Sequence, residues 1–283
     1  MRYPGARPLA FTALLLIVAC ATETPEPAEP IADAMAVPAW SKDVVWYQIF
    51  VERFRNGDPS NDPTLDDMAG SWPDLRPDGW EPTPWTHDWF RQEDWAEATG
   101  EPFYYTAQLR RYGGDLQGVM DQLDYLQELG VTALFLNPIN DAPSLHKYDA
   151  RNYRHIDRNF GPDPDGDAAI MEAEDPADPA TWNWTAADSL FLALVDEVHR
   201  RGMRIIVDYS WNHTGTQFWA WQDVLENQTE SPYADWYEIE RFDDAATPDT
   251  SEFSYSGWAG VPQLPEWRKI GRPQGARSGA VDG

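Results

Sequence analysis

Short apolar runs alternate along this chain with longer segments whose apolar residues recur at helical spacing. The runs at residues 44–51, 131–136 and 204–207 are rich in β-branched or aromatic residues, which is typical of strands. One predicted amphipathic helix carries Leu116, Val119, Met120, Leu123 and Leu126 and stops at Gly130. A second carries Leu190, Phe191, Leu194, Val195 and Val198 and stops at Gly202. Strands that alternate with helices of this length predict βαβ units, a parallel sheet and an α/β fold.

Polar residues follow the third apolar run at once. Asp208, Asn212 and His213 would lie at the carboxyl end of the strand and in the loop after it. α/β sheets and barrels place their chemistry at that edge. The alternative is structural, with Asp208 capping a turn and His213 satisfied within the loop. Taken alone, this segment favours the structural interpretation.

Composition indicates a folded protein with a large acidic excess. The chain has 283 residues, of which 42% are hydrophobic and 13% aromatic, so it can bury a large core. Its 21 basic and 48 acidic residues give a formal charge of −27. A surface of this sign repels phosphate backbones, so nucleic acid is not an expected partner.

The amino terminus is typical of an exported lipoprotein. Residues 1–19 combine a basic start with an apolar run that is too short to span a bilayer, which predicts a signal peptide. The segment 17–20 is similar to a bacterial lipobox, and Cys20 is the single cysteine of the chain, so we expect lipidation at Cys20. Residues 20–39 are rich in Pro, Glu and Ala and predict a flexible tether. The expected location is the cell surface or the periplasmic side of a membrane. The alternative is an ordinary signal peptide with an incidental cysteine.

A long insertion at 63–112 separates the first strand from the first helix. It contains the tryptophans Trp72, Trp80, Trp85, Trp89 and Trp95 among prolines. Indole rings stack on the apolar faces of sugars, but they also pack loops that lack regular structure. We expect packing to be their main role.

Six sequence blocks resemble the α-amylase superfamily of retaining glycoside hydrolases, and more closely its neopullulanase and cyclomaltodextrinase-like branch. The blocks are VWYQIFVERFRNGDPSND at 45–62, YGGDLQG at 112–118, LFLNPI at 134–139, SLHKYD at 144–149, VDYSWNH at 207–213 and VPQLP at 261–265. They occur in the family's order, and the ordered set is far more specific than any single block. The resemblance implies a (β/α)₈ TIM barrel, with about the first three β/α units in residues 40–283 and a domain-B-like excursion at 214–250 after strand three.

The loop after the first strand is a candidate calcium site. Asn56, Asp58, Asn61 and Asp62 place four hard oxygen ligands within seven residues, which suits an ion that takes six to eight oxygens. The resemblance adds the carbonyl of Gly113 and the carboxylate of Asp115. Turn chemistry and an N-cap role for Asp115 are the alternative. We expect a structural calcium ion that ties this loop to the first helix.

The resemblance also assigns roles to the residues of a second site, which includes the polar residues after the third strand. Tyr148 matches the tyrosine that stacks on the sugar ring to be cleaved, and His146 matches a histidine that reaches its hydroxyls. Asp208 and His213 match the aspartate and histidine of the third strand. The implied substrates are α-glucans such as maltodextrin, cyclodextrin, pullulan or starch.

The catalytic pair is not found in this sequence. Retaining hydrolysis needs a nucleophile and an acid/base, which the family carries on strands four and five. We therefore expect both beyond residue 283, and we expect the chain by itself to be inactive. A noncatalytic, surface-attached α-glucan-binding lipoprotein is one alternative, and a gene interrupted by a frameshift is another.

Overall fold

The computed structural model describes residues 37–244, 246–248 and 252–270. The segment up to Asp43 forms a unit of its own, in which a single 3₁₀ turn, Ala39–Lys42, is described. Several predicted features lie outside the described residues. They are the signal peptide at 1–19, the lipidation site Cys20 and residues 20–36 of the tether, and residues 271–283 also lie outside. No helix among the described residues is both long and apolar enough to cross a bilayer.

Three parallel strands form the main sheet, in the order in which they occur in the chain. They are β1 (Trp46–Ile49), β2 (Ala133–Leu136) and β3 (Arg204–Val207), and all three lie within the predicted runs. Their register aligns Ile49 with Leu136 and Leu136 with Val207. The three carboxyl ends therefore meet at one edge, and the residues that follow them are brought together there.

Helices cover one face of this sheet. The predicted first helix is α3 (Leu116–Asp121) followed by α4 (Leu123–Glu128), and the second is α6 (Ala186–Arg200). The first prediction was wrong in one respect, because the helix is interrupted at Gln122. There the Gln122 N–H bonds to the Val119 carbonyl three residues back, at 3.1 Å, in a tighter 3₁₀-type turn. Apolar spacing does not reveal this break, since the buried residues on both sides still face the sheet.

The second predicted helix begins and ends with clear signals. Thr185 and Asp188 form a capping box in which each side chain bonds to the other's backbone N–H. Gly202 follows the helix with a φ of 73°, a conformation that residues with a side chain adopt at a cost. The end at Gly202 was predicted from the sequence, whereas the capping box at the start was not.

The sheet and its helices enclose the main core, which includes Ile49, Leu116, Leu123, Leu134, Leu136, Leu194 and Val198. The opposite sheet face carries Trp46, which is 42% exposed, and Ile206, which is 40% exposed. Two other helices, α1 (Asp94–Thr99) and α2 (Phe103–Thr106), lie in the insertion. Helix α5 (Pro164–Ala173) lies between β2 and α6. The remaining 3₁₀ turns are Val51–Arg53, Pro59–Asn61, Ala107–Leu109, Arg158–Phe160, Pro179–Thr181, Gln228–Glu230, Ala234–Trp236 and Trp258–Gly260.

A smaller layer follows β3. It contains α7 (Trp219–Asn227) and an antiparallel pair, β4 (Ile239–Arg241) with β5 (Ser254–Tyr255). Its aromatic core includes Phe218, Trp221 and Tyr237, with Trp267 packed against it. This layer extends past residue 250, the predicted end of the excursion, because β5 and Trp267 complete its packing.

Candidate functional site

Tyr148 and Asp208 meet at the carboxyl edge of the sheet. The Tyr148 hydroxyl donates a 2.6 Å hydrogen bond to Asp208 Oδ2. Asp208 follows β3 directly, and its N–H bonds to the Leu136 carbonyl at 2.9 Å, which extends the sheet by one residue. Burial raises the pKa of Tyr148 to about 12, and the hydrogen bond and charge of Asp208 contribute to the shift. The phenol therefore keeps its proton at neutral pH and holds the carboxylate beside an aromatic ring.

His146 lies next to that ring. The centroids of the two rings are 5.6 Å apart, and the Tyr148 N–H donates to His146 Nδ1 at 3.1 Å. Because Nδ1 accepts this bond, the proton of the neutral imidazole lies on Nε2. Burial lowers the pKa of His146, which keeps the ring neutral. Nε2 is then a donor suited to a neutral hydroxyl group.

His213 is also near Tyr148, but it is 1% exposed. Its Nε2 lies 3.1 Å from the Tyr148 carbonyl oxygen, and its ring stacks on Trp258 with centroids 5.0 Å apart. Burial lowers the pKa of His213, so the ring donates this bond in its neutral form. In this arrangement His213 holds the backbone of Tyr148, and the role predicted for it, direct contact with a sugar, remains a prediction.

Two supporting residues were not found by sequence reasoning. Lys147 Nζ lies 2.7 Å from Asp157 Oδ2 in a buried ion pair, and it also donates to the Ala142 carbonyl at 2.9 Å. Arg111 is 2% exposed and donates to the Pro143 carbonyl at 3.0 Å. Both cations anchor the loop that carries His146 and Tyr148. Both residues lie in polar segments of the sequence, so the sequence did not indicate that they are buried.

The six predicted calcium-site residues come together from two segments, the loop at 56–62 and the block at 112–118. Asn56 Nδ2 donates to Asp62 Oδ1 at 2.6 Å, and Asn61 Nδ2 lies 3.4 Å from Asp115 Oδ2. Gly113 has a φ of 69°, and a Cβ placed there would lie 2.0 Å from Asp62 Oδ1. Asp58 instead turns its carboxylate to the Ser60 N–H at 3.0 Å. Five of the six thus face one another, and Asp58 caps the local turn.

Asp115 serves the backbone on both sides of this cluster. Its Oδ2 accepts from the Asp58 N–H at 2.8 Å, and its Oδ1 accepts from the Gly118 N–H at 2.6 Å, which caps α3. The N-cap contact that was the alternative role for Asp115 is therefore present in the structure. The same carboxylate ties the loop after β1 to the start of the helix.

The oxygen atoms of this cluster suit a hard cation in one respect. Asn56 Oδ1 and Asn61 Oδ1 are buried and have no hydrogen-bond partner. Burial raises the pKa of Asp62, and the charges of Asp115 and Asp58 raise it further. Within the described part of the chain, no three His, Cys, Asp or Glu side chains converge in a way that could hold a metal ion. Any ion here would depend on amide and carbonyl oxygens as well as carboxylates.

Comparison with known families matches the same segments. Residues 48–175 and 185–267 match the alpha-amylase catalytic domain. The chain belongs to the alpha-amylase family. The catalytic domain of this family is a (β/α)₈ barrel, and the three parallel strands with their connecting helices correspond to part of that barrel. Tyr148 and Asp208 lie at the edge where that barrel carries its chemistry. Together with His146 and His213 they form the candidate sugar site, which is called the cleft below.

Relatives within the alpha-amylase family include neopullulanases and cyclomaltodextrinases. Neopullulanase 2 from Thermoactinomyces vulgaris is 39% identical over 238 residues, which are 84% of this chain and 31% of the relative. A cyclomaltodextrinase from Geobacillus thermopakistaniensis is 36% identical, over 83% of this chain and 30% of the relative. The chain thus spans about a third of the length of these relatives.

A solved structure shares the fold. Cyclic α-maltosyl-(1→6)-maltose hydrolase from Arthrobacter globiformis, in complex with cyclic α-maltosyl-(1→6)-maltose, aligns with a TM-score of 0.53 at 33% identity. The alignment covers 81% of this chain and 38% of that structure.

Proposed function

We propose that this chain takes part in the retaining hydrolysis of α-glucans, and that its cleft binds the glucose ring beside the bond to be broken. The hydrogen bond between Tyr148 and Asp208 is the observation that carries the proposal. It places an aromatic face and a carboxylate side by side at the carboxyl edge of a parallel sheet. The enzymes named among the relatives act on substrates of this class.

Each cleft residue has a defined task in this proposal. The Tyr148 ring stacks on the apolar face of the sugar, and His146 Nε2 donates to a sugar hydroxyl. Asp208 places negative charge near a ring that acquires oxocarbenium character, which stabilises the transition state more than the ground state. The nucleophile and the acid/base belong to strands four and five by resemblance, so none of the residues assigned here forms or breaks the glycosidic bond.

Replacing Tyr148 with alanine is expected to weaken maltoheptaose binding in the cleft by at least about tenfold, which corresponds to about 1.4 kcal/mol. The loss combines the stacking face with the hydrogen bond that holds Asp208. Isothermal titration of the chain and of the variant measures the change. Tyr104→Ala is the matched control, because Tyr104 is a tyrosine of the insertion that is 82% exposed. Equal affinity in Tyr148→Ala and the unaltered chain would refute the assignment of the cleft.

A reducing-sugar assay on the same samples separates binding from turnover. The 283-residue chain is expected to bind maltoheptaose without releasing reducing ends. Turnover that disappears in Asp208→Asn would show that a catalytic pair lies within these residues after all.

We also propose a structural calcium ion in the loop after β1. Asn56, Asn61, Asp62, the Gly113 carbonyl and Asp115 would hold it, and the two unpartnered amide oxygens support this assignment. When bound, the ion neutralises the repulsion between Asp62 and Asp115. Its effect would be on stability, since these residues join the loop to α3 and do not enter the cleft.

Removing calcium with EGTA is expected to lower the thermal midpoint by about 5–10 °C. An ion at about 100 times its dissociation constant stabilises the folded state by about 2.7 kcal/mol, and in a domain of this size each kcal/mol shifts the midpoint by about 2–4 °C. Calorimetry with and without added Ca²⁺ measures the shift, and the midpoint of Asp62→Ala should not respond. An unaltered midpoint in EGTA after dialysis would contradict an occupied site.

A further inference from the structure

A groove beside the loop after β1 is separate from the cleft, and Asn56 of the proposed calcium site is among the residues that line it. It lies between the loop after β1, the insertion and the break between α3 and α4, and its volume is about 480 Å³. Its lining residues are Phe54, Arg55, Asn56, Trp85, Gln122 and Tyr125. Small-molecule sites commonly enclose about 300–1,000 Å³, so the groove is large enough for a short oligosaccharide. It shares no residue with the four assigned to the cleft.

The structure divides the five tryptophans of the insertion into a packed pair, Trp80 and Trp95, and three that are at least 41% exposed, Trp72, Trp85 and Trp89. Trp95 is 6% exposed and packs with Met68 and Leu109, and Trp80 packs against the same cluster. Trp85 is 41% exposed. It has Tyr112 on one side, with ring centroids 5.3 Å apart, and borders the groove. Packing therefore accounts for Trp80 and Trp95, as expected from the sequence, but it leaves much of the Trp85 ring open to a ligand.

The chemistry of the lining favours a neutral ligand. Tyr125 on α4 is 50% exposed and, together with Phe54, adds to the aromatic lining that Trp85 begins. Gln122 adds an amide that both donates and accepts. No carboxylate is among the lining residues, and the single cation, Arg55, lies 4.0 Å from Asp121. Aromatic rings for apolar faces, together with amide and guanidinium groups for hydroxyls, are what a sugar needs.

We propose that this groove is a second α-glucan-binding site, in which Trp85 and Tyr125 stack on glucose rings outside the cleft. The choice of α-glucan as the ligand rests on the proposed function. The groove itself rests on the residues that line it. A glucan held there would keep a polymer near the cleft and raise its effective concentration at that site.

Affinity electrophoresis in soluble starch and isothermal titration with maltoheptaose test this proposal on the full chain. The unaltered chain is expected to show two classes of site. Trp85→Ala and Tyr125→Ala should each weaken the groove site by at least about tenfold and leave the cleft site intact, while Trp85→Phe should retain most of the binding. Trp184→Ala is the matched control, since Trp184 is 72% exposed and lies outside the groove.

The same measurements distinguish failure of this site from failure of the cleft. Both Trp85→Ala and Tyr125→Ala binding like the unaltered chain, while Tyr148→Ala loses all binding, would overturn the groove and leave the proposed function standing. Loss of one site in Trp85→Ala with no change in Tyr148→Ala would support the groove and count against the cleft. Melting curves of each variant show whether it is folded, and Tyr125→Ala, on an exposed helix surface, is expected to keep the midpoint of the unaltered chain.

Discussion

Replacing His155 with alanine is expected to lower the free energy of unfolding by about 3 kcal/mol, because it removes the cation between two buried carboxylates. His155 is 4% exposed, with Nδ1 at 2.7 Å from Asp188 Oδ2 and Nε2 at 2.9 Å from Glu174 Oε2. Since carboxylate oxygens only accept, the form of His155 that bonds to both is the protonated ring, in which both nitrogens donate. Arg154 stays paired with Glu174 at 3.0 Å, and Asp188 keeps its backbone N–H donors, which places the loss at the lower end for a buried ion pair.

The stabilisation by His155 depends on pH. Burial alone lowers the pKa of His155, but its hydrogen bonds to Asp188 and Glu174 outweigh burial and raise the pKa above the ordinary value of 6.5. Since the pKa is higher in the folded than in the unfolded chain, this contribution is complete below about pH 6.5 and is lost as the pH rises through the folded pKa.

The carboxylates that bond to His155 determine how stability changes at low pH. Burial alone raises the pKa of Asp188, but bonds from His155, Ile156 and Thr185 outweigh it and lower the pKa below 3.8. The contribution of Asp188 is therefore present above about pH 3.8 and is lost as the pH falls through its folded pKa. Stability from this cluster should thus be greatest between the two transitions.

Urea unfolding from about pH 5 to about pH 9 measures the His155 effect. The unaltered chain is expected to lose stability above about pH 6.5, and His155→Ala should lack that loss. His199→Ala is the control, because His199 is an exposed histidine on α6. A loss of unfolding free energy below about 1 kcal/mol in His155→Ala, or an unaltered pH profile, would show that the ion pairs of His155 do not stabilise the fold.

The strands and the helix stops at Gly130 and Gly202 could be predicted because their signals are local. The apolar run at 204–207 ends where Asp208 begins, and the structure places β3 on those four residues. The start of α6 was not predicted, although Thr185 and Asp188 lie three residues apart, which is the spacing of a capping box. Parallel order then brings the strand ends together without further information. This part of the fold follows from periodicity and turn chemistry.

Contacts between distant segments could not be predicted from the same patterns. His155 reaches Glu174 and Asp188, which are 19 and 33 positions away. Trp258 covers His213 from beyond the predicted end of the excursion. Tyr148 and Asp208 were placed in one cleft by family resemblance, since no spacing relates residues 60 positions apart. Burial of a charged residue depends on a partner, and local sequence does not reveal that partner.

Replacing Lys147 with methionine is expected to cost about 3–5 kcal/mol of unfolding free energy, which is the usual result of leaving a buried charge unpaired. Lys147 Nζ lies 2.7 Å from Asp157 Oδ2, and Asp157 is 0% exposed. Methionine fills a similar volume but supplies no charge. The carboxylate would then keep only the N–H groups of Ala142 and Asn159, both at 3.1 Å.

This substitution should also weaken glucan binding, because Lys147 holds the segment that carries His146 and Tyr148. The Lys147 N–H bonds to Ser144 Oγ at 3.1 Å, and its φ of 61° turns the chain between the two cleft residues.

For the effect on stability, Arg268→Met is the matched control, since it breaks an ion pair of the same 2.7 Å length whose side chains are 56% and 92% exposed. Exposed pairs contribute about 0–1 kcal/mol of unfolding free energy, so the losses in Lys147→Met and Arg268→Met should differ several-fold. The double variant Lys147→Met with Asp157→Asn should recover part of the loss by removing the unpaired charge. Equal losses in Lys147→Met and Arg268→Met would mean that the buried ion pair contributes no more than an exposed one, and that the cleft segment is held by its backbone bonds alone.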